Sequence, residues 1–457
     1  MRQSSISRRG VLAGMLGGSG ALLLAACGQA TMTGEPDAEM AEKPAAEAKE
    51  AMPETVTLNA ICYTEAQGGD YQRCIDGYRQ EVGAEIDLSI DITAWAEYWP
   101  KLKTSAAVGT PFDVMIMNGP NIMFHAANNI LYDLSPYVKA DGIDMLETFP
   151  AYLVNVYTLF GKVWGLPNFH ATIGMYYNRE HLGEAGLDEP AEDWTFDDWL
   201  EMSQKLTIRQ GETPERWGTY VSVWGQTEGY NYVLANGGEI LSKDKTEFLF
   251  GQPEGLAAFN FMHGLIHQHG VAPTRPEASD AGGKRDMFHN GLLTFRASGP
   301  WEFGHLAPLD HINWGVQYLP RNARQANVVH GSSFAAGDQV PTPDQSWAFI
   351  KYATTSDTGE NSTAEFTMPG SWKGSRNWTA NNEFPELAQK FLDSMDWGFD
   401  YPQSYSTLEW NSAIPAELNK AVDNEVTMDE AVATAVAVGN KILDEEQVEL
   451  RRLGVIG

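Results

Sequence analysis

The sequence predicts an α/β protein of two lobes joined by several short crossovers. Three observations carry that prediction. Near the start of the body, β-rich runs alternate with runs of helical spacing, the pattern of βαβ units and a mostly parallel sheet flanked by helices. The same alternation resumes, less regularly, after residue 206. No internal repeat and no long Pro/Gly linker interrupts the body, which fits lobes hinged by crossovers better than domains strung in line.

The elements follow in order. Residues 55–63 (TVTLNAICY) read as a buried strand, which Gly68-Gly69 breaks. Tyr71, Cys74, Ile75 and Tyr78 then share one face of a helix over 71–82. Residues 86–93 form a second strand, and 95–108 a helix that tolerates Pro100 near its first turns. A third strand, 112–117, ends in the turn Asn118-Gly119-Pro120-Asn121. The stretch 160–206 holds a tight turn at Gly161-Lys162, a hinge strand at 168–172 and a strand ending in Met175-Tyr176-Tyr177-Asn178. A short helix at 179–185 comes next, and then a helix for which Thr195 is the N-cap, with Asp197 and Asp198 at its positive end. Further strands are expected at 218–223, 292–297 and 313–319, with 330–336 extended. Helices are expected at 230–235, closed by Asn236-Gly237-Gly238, and at 256–267, 284–289 and 345–354. From Glu386 the chain is mainly helical, ending in 428–450.

Composition bounds the function. The 457 residues are 43% apolar, enough for a large core, and carry a formal net charge of −30. That charge argues strongly against nucleic acid as a partner and disfavours anionic membrane surfaces. It reads as a soluble, self-repelling surface. Residues 1–26 read as a processing signal rather than fold: Arg2, Arg8 and Arg9 precede an apolar run at 11–26. The run is shorter than the ~20 residues a membrane helix needs. Leu24-Ala25-Ala26 before Cys27-Gly28 matches a bacterial lipoprotein cleavage signal, with Cys27 as the lipidated first mature residue. Residues 7–12 (SRRGVL) also resemble a twin-arginine export signal, without its usual Phe. Loss of the three arginines, with no acid among residues 1–26, would take the charge from −30 to −33. Residues 27–53, rich in Ala, Glu, Pro and Lys, read as a disordered tether. The expected setting is outside the cytoplasm, anchored to a membrane by lipid. Export would permit a disulfide between Cys62 and Cys74, though two small buried residues is the preferred reading.

Few motifs carry chemistry. His263 and His267 have the i, i+4 spacing of metal ligands, with His269 close by. Gly264 stands where H-E-x-x-H needs its Glu, so these histidines read as the C-terminal turn of a helix. Neither G-x-S-x-G nor G-x-x-x-x-G-K-[ST] occurs, and no metal or cofactor is expected. The abundant carboxylates leave a glycosidase-like acid pair open as an alternative. The stronger signal is aromatic: 14 Trp and 17 Tyr, many beside turns or predicted strand ends. Trp224, Trp301, Trp372 and Trp410 have such positions. Indoles stack on the apolar face of a pyranose, while sugar hydroxyls need polar partners. Tyr63 and Glu65 follow the first strand and Asn118 the third, where ligands of α/β sheets bind.

A set of short motifs carries a resemblance. They are Trp95-x-x-Tyr98-x-x-Lys101-Leu102, 109–114 (GTPFDV), 131–134 (LYDL), 161–167 (GKVWGLP), Tyr176-Tyr177-Asn178, Ala185-Gly186-Leu187, 194–198 (WTFDD), 236–239 (NGGE) and Gly299-Pro300-Trp301. In this order the chain resembles the extracellular solute-binding proteins of bacterial ABC importers, in the carbohydrate-binding cluster that includes maltose-binding protein. The resemblance implies a periplasmic-binding-protein fold: lobe I from 54–168 plus 328–355, lobe II from 169–327 plus 356–457. It implies a monomer that binds a sugar between the lobes, delivers it to a membrane permease and does no chemistry. Trp301 would be the main stacking residue, Trp224 a second wall and Trp372 a third. Asn118 and Glu65 would be polar contacts, and Phe169 and His170 would face the cleft at the first hinge. Tyr63, Glu302 and Trp410 complete the expected site. Residues 370–376 (GSWKGSR) depart from the commoner Pro-containing pattern. The alternatives are an exported lipoprotein glycan hydrolase and a binding protein for a non-sugar solute.

Overall fold

The computed structural model describes residues 55–457 except Ala84, Glu212 and 363–366. The expected signal segment, Cys27 and the tether lie outside the described residues. In chain order the strands are β1 (Val56–Cys62), β2 (Ile86–Ile92), β3 (Val114–Asn118), β4 (Thr158–Leu159), β5 (Lys162–Val163), β6 (Leu166–Ala171), β7 (Gly174–Asn178), β8 (Ile208–Gln210), β9 (Thr213–Thr219), β10 (Leu293–Ser298), β11 (Trp314–Tyr318), β12 (Asn327–Ala335), β13 (Met368–Pro369) and β14 (Gly398–Asp400).

Two sheets organise the body, and both lie in one compact unit. The first has the order β13-β6-β12-β3-β1-β2, with β14 on β12. The second has the order β11-β7-β10-β9-β8. Parallel pairing joins β1 to β2 and β3, β9 to β10, and β12 to β14. Of the strands next to the crossovers, β6, β7 and β13 pair antiparallel with their neighbours, and β12 does so with β3 and β6. Strand alternation buries both faces of the first sheet. Ala60 and Cys62 pack with Tyr71, Ile75 and Phe349 on one side, and Ile61 with Tyr98, Leu102 and Leu153 on the other. Met175 and Tyr177 of the second sheet lie in one core and Tyr176 in another.

The chain passes from the first sheet to the second between β6 and β7, and back between β11 and β12. The helix Asp357–Ser362 leads towards β13 and then the helix Trp372–Asn381, whose Trp378 lies in the second sheet's core. Glu360 reaches across this third passage to Gly374, where an added Cβ would lie 2.8 Å from its carboxyl carbon. Burial raises its pKa to about 7, against hydrogen bonds from Ser371. Among the described residues, no helix is long and apolar enough to cross a membrane.

Local departures have local causes. Gly68-Gly69 does not break the chain: Thr64 caps a helix Glu65–Glu81 that runs through both. Gly68 lies under the Ile92 side chain, where an added Cβ would sit 2.7 Å from its terminal Cδ1. The strand expected at 218–223 is β9, which ends at Thr219, and Val221 and Val223 are buried without strand pairing. Thr195 and Asp198 form a reciprocal capping box. Cys62 and Cys74 are both buried free thiols, and burial pushes the Cys62 thiol up to about 12.

Candidate ligand-binding cleft

The site is built where strands of the two sheets end. β1 and β3 are parallel, and β12 runs against both β3 and β6, so Tyr63, Asn118 and Phe169 come to the same edge of the first sheet. His330, near the start of β12, joins them. In the second sheet, parallel strands β9 and β10 lead into Tyr220 and into Gly299-Pro300-Trp301. The two edges meet: the Trp301 ring lies 5.2 Å from the His330 ring at 71°. Trp301 is half-buried against the second lobe's core. His330 is neutral at ordinary pH, burial holding its pKa near 4, and its enclosed Nδ1 has no hydrogen-bond partner among the described residues.

Trp301 stands where it does because of Gly299. A Cβ at that position would lie 2.2 Å from the indole, so the ring rests on the glycine backbone. The Tyr176 hydroxyl donates to the Gly299 carbonyl at 2.8 Å and fixes the turn. Gly299→Ala is expected to push the indole off its seat and weaken ligand binding roughly tenfold, with a small change in urea midpoint. Calorimetry paired with urea melts checks this.

Each expected site residue has a definite place. Tyr63 is half-buried at the end of β1, and Glu65 is exposed in the first turn of the next helix. Asn118 closes β3; its side-chain oxygen accepts from Asn121 Nδ2 at 2.7 Å, which leaves its own amide free to donate. Phe169 is half-buried on β6. Trp372 is half-buried at the start of its helix. Trp224 is buried in the second lobe's core: its indole N–H donates to Asn411 Oδ1 at 2.8 Å, and Tyr230 and Phe250 pack edge-on against it.

Three expectations need correction. His170 does not share the Phe169 surface, because neighbours on a strand point to opposite faces. It is fully buried, with Nε2 2.6 Å from Ser375 Oγ, and burial holds its pKa near 3. Trp410 is fully enclosed, donating to Ser404 Oγ at 3.0 Å. Glu302, adjacent to Trp301, turns inward at 0% exposure and is surrounded by Arg296 at 2.8 Å, Arg285 at 3.1 Å and His289 at 3.3 Å. His267 ends its helix and its Nε2 lies 2.7 Å from the Val422 carbonyl, at the end of another helix; His263, one turn earlier, has Nε2 3.3 Å from Asn424 Oδ1. Two residues of the site region were not foreseen. One is His330, whose neighbour Trp301 is set by long-range strand pairing. The other is Asn411, which also accepts from the Tyr230 hydroxyl and donates to Tyr401. A separate cavity of about 580 Å³ lies against Tyr401, Gln403, Asn155 and Ile240, and Trp301 does not line it.

Residues 75–372 match the family model described as bacterial extracellular solute-binding protein. The chain is 25% identical over 257 residues to a binding protein of Brucella abortus, covering 54% of this chain and 58% of that one. It is 27% identical over 223 residues to the arabinooligosaccharide-binding protein of Halalkalibacterium halodurans, covering 42% and 46%. The match thus spans about half the length of these relatives. Among solved structures, an ABC substrate-binding protein of Listeria monocytogenes in complex with cycloalternan is similar at a TM-score of 0.77 and 20% identity, over 86% of this chain and 100% of that one. The sugar-binding protein MalE of Xanthomonas citri is similar at 0.73 and 19%, over 87% and 99%. The fold is therefore the two-lobed one of sugar-binding ABC proteins.

Proposed function

Because the chain belongs to the bacterial extracellular solute-binding protein family, we propose that it is a lipid-anchored receptor of an ABC importer that binds an oligosaccharide between its lobes and passes it to a permease. The observation that carries this reading is Trp301, held on Gly299 at the end of β10 and facing His330 of the other sheet. Trp301 supplies the stacking face, Asn118 and Glu65 supply polar contacts, and Tyr63, Phe169, Trp224 and Trp372 line or support the cleft. Closure of the lobes selects the ligand-bound population. Cys27 carries the lipid, the tether spans the gap to the membrane, and the receptor works as a monomer outside the cytoplasm. It performs no catalysis. The aromatic surface and the net charge of −30 favour a neutral sugar over an anionic one.

A thermal-shift panel of mono- and oligosaccharides, peptides and polyamines tests the reading. A neutral oligosaccharide is expected to raise the melting temperature through mass action on the native state. A shift by a peptide or polyamine alone would overturn the substrate class. Product analysis after incubation with glycans separates receptor from hydrolase.

A further inference from the structure

We propose that Trp95 is an outer stacking platform of the cleft and that it reads the length of a bound oligosaccharide; this rests on the sugar-receptor reading above. Trp95 opens the helix Trp95–Ala107, just past the end of β2, and is 49% exposed. Among the described residues, the other exposed large aromatic is Phe160, less open at 37% and set in the β4–β5 turn. Trp95 differs in being braced. Tyr63 meets it at 4.8 Å and 89°, and Trp99 at 5.2 Å and 85°. Tyr98 in turn contacts both Tyr63, at 5.3 Å, and Trp99, at 4.9 Å. The Tyr98 hydroxyl donates to the Ile116 carbonyl at 2.8 Å and accepts from the Ile116 N–H at 3.0 Å. The aromatic group is thereby tied to the middle of β3. Near-perpendicular neighbours fix the indole plane while about half the side chain stays in water. A rigid, open indole suits the apolar face of a sugar ring, and its ordering cost is already met by the fold.

Position gives the platform its role. The strand order places His330 on β12, with β3 and β1 between it and β2. Three gaps at the usual spacing between strands put Trp95 roughly 14–15 Å from the Trp301–His330 contact. One pyranose cannot touch both indoles. A chain stacked on Trp301 and running past Asn118 and Tyr63 would bring a later unit to Trp95, with the exposed Glu65 carboxylate nearby along the same edge as a hydroxyl acceptor. Short ligands would use Trp301 alone, and longer ones would gain the second stack.

Calorimetric titration of the wild type, Trp95→Ala, Trp95→Phe and Trp301→Ala tests this. The probes are glucose, maltose and maltotriose, and arabinose, arabinobiose and arabinotriose. In the series that binds, Trp95→Ala is expected to weaken the trisaccharide tenfold or more and the monosaccharide less than twofold, and Trp95→Phe to recover most of the loss. If Trp95→Ala leaves the trisaccharide unchanged while Trp301→Ala abolishes binding, the platform falls and the receptor stands. Equal weakening at every length would also overturn the length-reading role. If no saccharide binds the wild type, both readings fall.

Discussion

Replacing Trp301 by alanine is expected to weaken oligosaccharide binding about a hundredfold, roughly 2.7 kcal/mol, with little loss of stability. The half-buried ring lies on the surface of the second lobe's core, seated on Gly299 and facing His330, so truncation removes a stacking face without opening a deep void. Trp410→Ala supplies the contrast. Its ring is fully enclosed and belongs to the same core, so its loss is expected to cost about 3–5 kcal/mol of folding free energy. Calorimetry and urea melts on both variants separate a ligand anchor from a core residue. Unchanged sugar affinity in Trp301→Ala would remove that residue from the site.

What could be seen in the sequence was what neighbours along the chain decide. The capping box at Thr195 and Asp198 satisfies helix donors within three residues, so its signal is local. The strand ending at Ser298 and the Trp301 that follows it are local as well. Errors arose where distant segments decide. Gly68 suggests a break because glycine has high backbone entropy; in the fold the Thr64 cap starts a helix that runs through it, packed under the Ile92 side chain. Phe169 and His170 were both placed in the cleft, but strand alternation permits only one of two neighbours to face it. His330 lies 29 residues after Trp301, and their contact follows from β12 pairing with β6 in the first sheet. Glu302 belongs to the expected site through its place directly after Trp301. Nothing near it in sequence shows that Arg285, Arg296 and His289 converge on it.

That convergence yields the second large effect. Glu302→Leu is expected to destabilise the protein by about 3–5 kcal/mol, because it strands the guanidinium of Arg296, which is 3% exposed. Among the described residues, Nε and Nη1 of Arg296 lack hydrogen-bond partners, so the carboxylate at 2.8 Å carries much of the compensation for that buried charge. Burial opposes ionisation of Glu302. The hydrogen bond and charge of Arg296, the charge of Arg285 and the hydrogen bond from Ser298 outweigh it and hold the carboxyl at about 2. The sign of the pH dependence follows. A carboxylate depressed from 4.5 to about 2 contributes roughly 3 kcal/mol that is fully present above pH 4.5 and is lost as pH falls towards 2. The stability gap between wild type and Glu302→Gln should therefore be flat from about pH 5 to pH 8 and narrow steadily below about pH 4.5. Urea melts across that range measure it. A gap that stays constant down to pH 3 would mean that the ionised carboxylate is not what holds Arg296. The same variant bears on binding, since Glu302 follows Trp301 directly and accepts from Ser298 Oγ at 3.1 Å, at the start of the Trp301 turn. If the buried ions hold that turn in place, Glu302→Gln should weaken sugar affinity alongside stability, whereas Trp301→Ala weakens affinity alone.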